Sequence, residues 1–260
     1  MNISKKVRLR VLSVLSVLAF LLIWQLCTQV FQLVPPTSLP SPGSVFTTFI
    51  AKLTETAPDG ATLGNHVIAS LQVSLLGFLL GCLIGIPLGI FMAWYKNFDL
   101  FVKPVFDFVR TIPSIAWIPI MIIMLGIGIL AKASVVFLSA FIPCVINSYT
   151  GIKATKSVHI WVAQTFGASR FKTLWKVAIP TALPYIFTGM KVSLNASWTS
   201  LLAAEMLGSS KGLGFMIQMG RLLIRADVVV VGMITIGIIG FILSAVLDLM
   251  EAKLVKGGVQ

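Results

Sequence analysis

The sequence has little charge, and its acidic residues are especially few. Charged residues make up 11% of the 260 residues, while hydrophobic residues make up 57%. Only 8 residues are Asp or Glu, and none lies between Asp107 and Glu205. A water-soluble domain of this length needs far more charge on its surface. These deficits exclude a soluble protein and indicate one that crosses a membrane several times.

Patterns typical of catalytic, nucleotide and metal sites are also missing. The sequence contains no G-x-x-x-x-G-K-[ST] phosphate loop and no H-E-x-x-H. Gly208 to Gly212 matches G-x-S-x-G by letter, but it follows an apolar helix rather than the strand that a nucleophile elbow needs. Cys27, Cys82 and Cys144 have unrelated spacings within apolar segments, which excludes a disulfide framework. We therefore predict no catalytic residue, no metal site and no cofactor bound by this chain.

Six apolar segments are long enough to cross a bilayer as helices of about 20 residues. They are residues 11–31, 67–94, 112–130, 133–152, 185–206 and 228–247. The first follows Lys5, Lys6, Arg8 and Arg10 like a signal peptide, but its length and the lack of a cleavage pattern favour a retained anchor. The sequence predicts an all-α integral membrane protein with six transmembrane helices and both termini on one side.

The positions of Lys and Arg predict which side that is. Of the 20 Lys and Arg residues, fifteen fall on the side of the N-terminus. The other side has Lys52, Lys132, Lys211, Arg221 and Arg225. Because cytoplasmic segments carry the excess of Lys and Arg, both termini are predicted to be cytoplasmic. The formal charge of +12 comes from basic residues at the ends of the apolar segments, where this bias places them. No nucleic acid partner is therefore expected.

Composition also suggests how the chain is divided. Residues 1–34 form the cytoplasmic tail and anchor helix, and residues 35–66 form an external loop whose proline-rich start predicts an extended or turn-rich segment. Residues 67–252 form the core, with a cytoplasmic loop at 153–184, and residues 253–260 form a cytoplasmic tail.

Glycine recurs every fourth residue along the second predicted helix. Small residues at this spacing allow another helix to approach backbone to backbone. Two partners are open: another helix of the same chain, or a second copy of the subunit. The residues are Gly77, Gly81, Gly85 and Gly89.

The segment from Trp161 to Pro184 is too basic for lipid and too regular for a plain connector. Apolar residues at Phe171, Leu174, Trp175 and Ala178 have the spacing of an amphipathic helix. Gly167 marks a change of helix direction, and Pro180 and Pro184 are predicted to stop or kink the chain. This cytoplasmic helix either docks on a soluble partner or lies on the bilayer surface.

Glu205 is the one acidic residue embedded in an apolar run. An ionisable group in such a place is a functional candidate, and the alternative is an interfacial Glu paired with Lys211 or Arg221. We name four residues as candidates for a translocation path: Glu205, Asn195, Trp198 and Arg110.

The segment around Gly167 resembles the cytoplasmic loop of ABC importer permeases, whose signature is EAA, three residues, Gly, nine residues and I-x-L-P. Ala163 and Gly167 match, and Val177 to Pro180 stand where I-x-L-P is expected. Trp161 replaces the glutamate. Further blocks such as RTIPSIAWIPI, GIGILAK, AAEML and KGLGF are similar to permeases of the nitrate, sulfonate and taurine type.

The resemblance implies a methionine-permease-like core of five helices plus one N-terminal helix, in a bacterial cytoplasmic (inner) membrane. It also implies a second copy of the permease, two ABC ATPase subunits that bind ATP and Mg²⁺, and an extracytoplasmic solute-binding protein. The coupling residues would be Ala163, Thr165, Phe166, Gly167, Ala168, Arg170, Phe171, Leu174, Trp175 and Pro180. The carried solute would be small and anionic.

Other kinds of protein remain open from the residues alone. A secondary transporter or channel would work without an ATPase, although such carriers usually show several charged groups at mid-membrane. A membrane enzyme and an assembly subunit are weaker alternatives.

Overall fold

The computed structural model describes residues 3–254, and every regular element within them is a helix. The helices are α1 (Ile3–Gln25), α2 (Pro42–Thr54), α3 (Leu63–Trp94), α4 (Lys96–Thr111), α5 (Ile118–Leu125), α6 (Ile129–Lys153), α7 (Ser157–Thr165), α8 (Arg170–Thr173), α9 (Ile179–Gly208), α10 (Leu213–Leu222) and α11 (Ala226–Leu254). The predicted all-α fold is confirmed. The C-terminal tail after residue 254, including Lys256, lies outside the described residues.

Within residues 3–254, five helical stretches are long and apolar enough to cross a membrane. They are Val11–Val30, Leu63–Trp94, Ile129–Lys153, Arg170–Gly208 and Ala226–Leu254. A sixth span is present if Lys96–Thr111 and Ser114–Leu125, which meet at 88°, are counted together.

The predicted third span, residues 112–130, is not one straight helix. Ile112 is extended (ψ 117°), as expected for a residue before proline, and Pro113 cannot continue α4. A short 3₁₀ turn at Ser114–Trp117 leads into α5, which ends at Leu125 and is followed by Gly126 with φ +75°. The turn into α6 is therefore made by Gly126 to Gly128, and Lys132 lies inside α6 rather than in the turn.

The chain divides into two compact units, which are described separately. One unit contains residues 1–66 and 216–236, and the other contains residues 67–215 and 237–260. The sequence prediction placed a boundary at residue 66 but kept residues 216–236 with the core.

In the first unit, the predicted extended loop contains a helix. Ser41 caps α2 by accepting a hydrogen bond from the Ser44 amide (3.3 Å), and Pro42 occupies the first turn, where its missing N–H is not needed. The proline-rich start of this loop is predicted to be extended or turn-rich, and this prediction is wrong from Pro42, where α2 begins. On α2, Thr48 donates to Asp227 (2.7 Å) at the start of α11.

In the second unit, the glycine face of α3 packs on α6. A Cβ at Gly77 would lie 2.6 Å from Val136 Cβ, and one at Gly81 would lie 2.5 Å from Ala140 Cβ. A Cβ at Gly85 would lie 2.9 Å from the Phe141 carbonyl oxygen. Gly89 likewise approaches Val145 and Ser148. Because α6 occupies this face, it is not available to a second copy of the subunit.

α6 packs extensively against α9. Ser139 donates to the Ser200 hydroxyl (2.6 Å), and Ser193 donates to the Ala140 carbonyl (2.6 Å). Small polar side chains let two apolar helices approach closely while their hydroxyls stay satisfied. The helices α3 and α9 are thus both closely packed on α6, and the candidate site lies on the segment that connects α6 to α9.

Candidate functional site

The segment after α6 turns sharply at Gly167, as the sequence predicts. α7 ends at Thr165, and Gly167 has φ +76°. The Gly167 amide donates to the Gln164 carbonyl (2.9 Å), and the Ala168 amide donates to the Ala163 carbonyl (3.0 Å). This pair of bonds is the Schellman motif, which ends a helix at a left-handed residue. Gly167 is therefore required by the backbone conformation.

The helix that follows Gly167 differs from the prediction. Ser169 accepts a hydrogen bond from the Lys172 amide (3.2 Å) and starts α8, which continues without a break through a π turn at Leu174–Ala178 into α9. The sequence predicts that Pro180 and Pro184 stop or kink the chain, and the helix stops at neither residue. The wider π turn before α9 leaves room for the missing amide and the ring of Pro180. The separate short helix of this loop is α7.

Only part of the predicted apolar stripe is buried. Leu174 and Ala178 are 1% and 0% exposed, and they pack in a cluster with Ile90, Ala93 and Ile152. Phe171 and Trp175 are 62% and 53% exposed, and their ring centroids lie 6.0 Å apart. Leu174 is therefore corrected from a partner contact to a residue of the chain's own core.

The exposed apolar residues of α7 and α8 form a surface that we call the elbow surface. It consists of Val158, Trp161, Val162, Phe166, Phe171 and Trp175. Phe166 is 88% exposed and Trp161 is 63% exposed. The charged residues of this segment itself are all basic, since the sequence has no carboxylate from residue 108 to residue 204. Other predicted coupling residues lie nearby: Thr165 and Pro180 are exposed, and Ala163 and Ala168 are half-buried.

Arg170 points away from this surface toward the end of α3. Its guanidinium donates to the carbonyl of Trp94 (3.2 Å), and its Cζ lies 5.6 Å from the centre of the Tyr95 ring. The sequence shows no signal for this contact, because Trp94 and Arg170 are 76 residues apart.

Glu205 is buried and bonded within the chain, so it is removed from the translocation path. It is 1% exposed, and its carboxylate accepts hydrogen bonds from the Ser70 hydroxyl (2.8 and 2.9 Å) and the Gly214 amide (2.9 Å). The Ser70 hydroxyl accepts from the Leu213 amide (2.8 Å). A carboxylate at this place satisfies the free amides of the first turn of α10. Glu205 thus positions α10.

The other candidates for the path differ in accessibility. Trp198 is half-buried and packs on a cluster that includes Val73 and Leu201, so it belongs to the helix packing. Arg110 is 44% exposed and pairs with Asp107 (2.8 Å). Asn195 is exposed on α9, and its side-chain amide makes no hydrogen bond with the described residues.

Sequence reasoning missed a buried ionic cluster in the first unit. Lys52 is 2% exposed and donates to Asp59 (2.5 Å) and to the carbonyl of Ala61 (2.6 Å), and His66 Nε2 lies 3.4 Å from the other Asp59 oxygen. Burial acts to raise the pKa of Asp59, but His66 and Lys52 together outweigh burial and hold that pKa below its ordinary value. These residues have ordinary spacings and offered no motif.

Comparison with known proteins adds a family match and close relatives. The model of the family described as binding-protein-dependent transport system inner membrane component matches residues 85–257. The taurine transport system permease protein TauC of Escherichia coli (strain K12) is 36% identical over 234 residues, which cover 89% of this chain and 83% of TauC.

Two further relatives have similar coverage. The putative aliphatic sulfonates transport permease protein SsuC of Bacillus subtilis (strain 168) is 32% identical over 234 residues. The match covers 90% of this chain and 83% of SsuC. The bicarbonate transport system permease protein CmpB of Synechococcus elongatus is 32% identical over 236 residues. The match covers 88% of this chain and 84% of CmpB.

A solved structure has the same fold. It is an inward-facing conformation of the MetNI methionine ABC transporter, with a TM-score of 0.64 and 20% sequence identity over 75% of this chain and 96% of the other. This similarity confirms the methionine-permease-like fold.

Proposed function

The chain belongs to the family of binding-protein-dependent transport system inner membrane components, and we propose that it carries a small anionic solute inward with energy received at the elbow surface. It is a multi-pass permease subunit of an ABC importer and not an enzyme. ATP hydrolysis belongs to a separate ATPase, which on this proposal binds the ATP and Mg²⁺. An ATPase and a solute-binding protein complete the importer.

The elbow surface is the observation that supports coupling. Six large apolar side chains are exposed on one loop, which the distribution of Lys and Arg predicts to be cytoplasmic. A short helix set in a groove of a soluble partner is a common mode of recognition. Gly167 turns α7 against α8, so that residues of both helices can enter one groove. A helix lying on the bilayer would not need this turn.

Two copies of the permease and two ATPase subunits are proposed to form the importer. On α9, Thr188, Asn195 and Thr199 are exposed and share one helical face. The threonines donate to carbonyls four residues before them, but Asn195 has no such partner among the described residues. An unsatisfied amide facing lipid is costly, so this face is expected to line a water-filled path beside the second copy.

The solute is proposed to carry an oxyanion. Taurine, aliphatic sulfonates and bicarbonate appear in the names of the relatives, and each carries such a group. On this proposal most of the selectivity lies in the solute-binding protein. The membrane is the bacterial cytoplasmic membrane, with both termini in the cytoplasm.

The test is reconstitution of the permease in vesicles with and without its ATPase. We expect the two proteins to co-purify and solute uptake to require ATP. Replacing Phe166 and Phe171 by Ser should release the ATPase, whereas replacing Leu83, which is 71% exposed on α3, should not. Uptake by the permease alone would instead support a secondary transporter or channel.

A further inference from the structure

We propose that Arg170 is a positioning residue that passes movement of the elbow surface to the joint between α3 and α4. This inference rests on the proposed docking of an ATPase at the elbow surface. It concerns the step after docking, in which a movement outside the membrane must reach the spanning helices.

The helical segment that begins with α8 is exposed on one side and packs against the chain's own core on another. Phe171 and Trp175 are exposed in the elbow surface, while Leu174, between them in sequence, is buried against α3. A partner that moves Phe171 therefore moves Leu174 and Arg170 with it, because they lie within one helical turn. The helix that shifts with α8 is the one that Leu174 and Arg170 contact.

A polar contact connects α8 to the end of α3. α3 ends at Trp94, and the last carbonyls of a helix have no partner within it. Arg170 donates to the Trp94 carbonyl (3.2 Å) and lies above the ring of Tyr95 (5.6 Å). A cation at a helix C-terminus is favourable, and the guanidinium adds a contact with the aromatic face.

Apolar packing makes the contact stiff. Leu174 and Ala178 share a cluster with Ile90 and Ala93 of α3, and Trp94 packs against the same cluster. Close-packed side chains transmit displacement, since there is no free volume to absorb it. Displacement of α8 must therefore shift the end of α3 or break this cluster.

The receiving end is a joint between two helices. Tyr95 is extended (φ −109°, ψ 104°) and is the one residue between α3 and α4. α4 leads to the 88° bend before α5. A change at Tyr95 would therefore redirect α4, the first half of the bent pair. Arg170 thus contacts the residue that sets the direction of α4 relative to α3.

The experiment compares Arg170→Gln with Lys96→Gln in permease–ATPase complexes in lipid vesicles. Both variants remove one exposed cation near the joint, but among the described residues Lys96 has no ion pair or side-chain hydrogen bond. For Arg170→Gln we expect unchanged ATPase binding and about threefold or more less solute carried per ATP hydrolysed. Lys96→Gln should match the wild type, and Arg170→Lys should recover part of the loss.

A second pair of variants tests the same contact from the other side. Tyr95→Phe keeps the ring and should couple normally, whereas Tyr95→Leu removes it and should lower solute carried per ATP. Unchanged coupling in both Arg170→Gln and Tyr95→Leu would overturn the inference. Loss of ATPase binding in Arg170→Gln would also overturn it, because Arg170 would then belong to the docking surface. A wild-type permease that binds no ATPase would refute the proposed function itself.

Discussion

For single residues, the role of a polar side chain in an apolar helix depends on whether the chain satisfies it. Glu205 and Asn195 lie on the same helix and are ten residues apart in sequence. Glu205 has partners in Ser70 and Gly214, so its hydrogen bonds hold the start of α10 in place. Asn195 is exposed and has no side-chain hydrogen bond with the described residues. Among these two residues, Asn195 is therefore the stronger candidate for contact with water or solute.

Replacing Asn195 by Leu should lower ATP-driven uptake about tenfold or more without reducing the amount of folded protein, because the path loses its amide. Uptake into vesicles and the thermal unfolding midpoint in detergent measure the two effects. Thr150→Val on α6 is the control, since its exposed hydroxyl is already bonded to the Ile146 carbonyl (2.8 Å). Equal uptake by Asn195→Leu and wild type would contradict a role in the path.

Replacing Asp59 by Asn should destabilise the protein by about 3–5 kcal/mol, because Lys52 would stay buried without its counter-charge. Replacing Glu55, which is exposed and has no ion pair within the described residues, should have little effect. Thermal unfolding in detergent measures both.

The same carboxylate predicts a pH dependence. The pKa of Asp59 is lower in the fold than in the unfolded chain, where it is about 4. Its contribution is therefore complete above about pH 4 and is lost as the pH falls through the lower, folded value. The acid loss of stability below pH 4 should be smaller in Asp59→Asn than in wild type.

For whole helices, glycine spacing and helix ends determine how the elements fit. The glycines of α3 are needed because the backbone of α6 lies against them, whereas Gly167 is needed because its φ is positive. Substitution therefore acts through steric overlap in the first case and through backbone strain in the second. The two effects can be separated by choosing the side chain.

Replacing Gly81 by Val should strongly reduce the yield of folded protein. Its Cβ would lie 2.5 Å from Ala140 Cβ and 3.0 Å from the Phe141 backbone nitrogen, and backbone atoms cannot move aside at low cost. Overpacking of this kind costs about 1–3 kcal/mol or more. Gly64→Ala, on the same helix with no atom within 4 Å, should fold normally. Size-exclusion chromatography in detergent distinguishes these results.

Replacing Gly167 by Val should weaken coupling to the ATPase while the membrane helices remain folded. No atom lies within 4 Å of a Cβ at this position, so the cost is the left-handed backbone, about 1–2 kcal/mol. Asn tolerates this conformation, and Gly167→Asn should retain most of the coupling. Full ATP-dependent uptake by Gly167→Val would show that the angle between α7 and α8 is not needed.

For the whole molecule, burial within the chain separates internal contacts from surfaces left for partners. Leu174 and the α3 glycines pack against other helices of the chain, while the elbow surface and the Asn195 face of α9 remain exposed. The first surface fits a soluble partner and the second fits a membrane partner. We expect native mass spectrometry of the purified importer to give two permeases and two ATPases, and a complex with one permease would contradict the proposed path.

The sequence by itself determined the class of the protein, its helical content, its family and the turn at Gly167. These follow from apolar length, motif spacing and glycine chemistry, all of which are local along the chain. Local patterns also misled, because the i, i+3, i+4, i+7 stripe of Phe171 to Ala178 shows that a helix is amphipathic but not what covers it.

Only the tertiary structure decided which residues are covered or bonded by other parts of the chain. It buried Leu174 against α3, enclosed Glu205 beneath α10, broke the third span at Pro113 and joined Arg170 to Trp94. Each of these outcomes depends on residues distant in sequence that meet in space. Periodicity along the chain carries no information about such meetings, since it is set by the geometry of one helix and not by its neighbours.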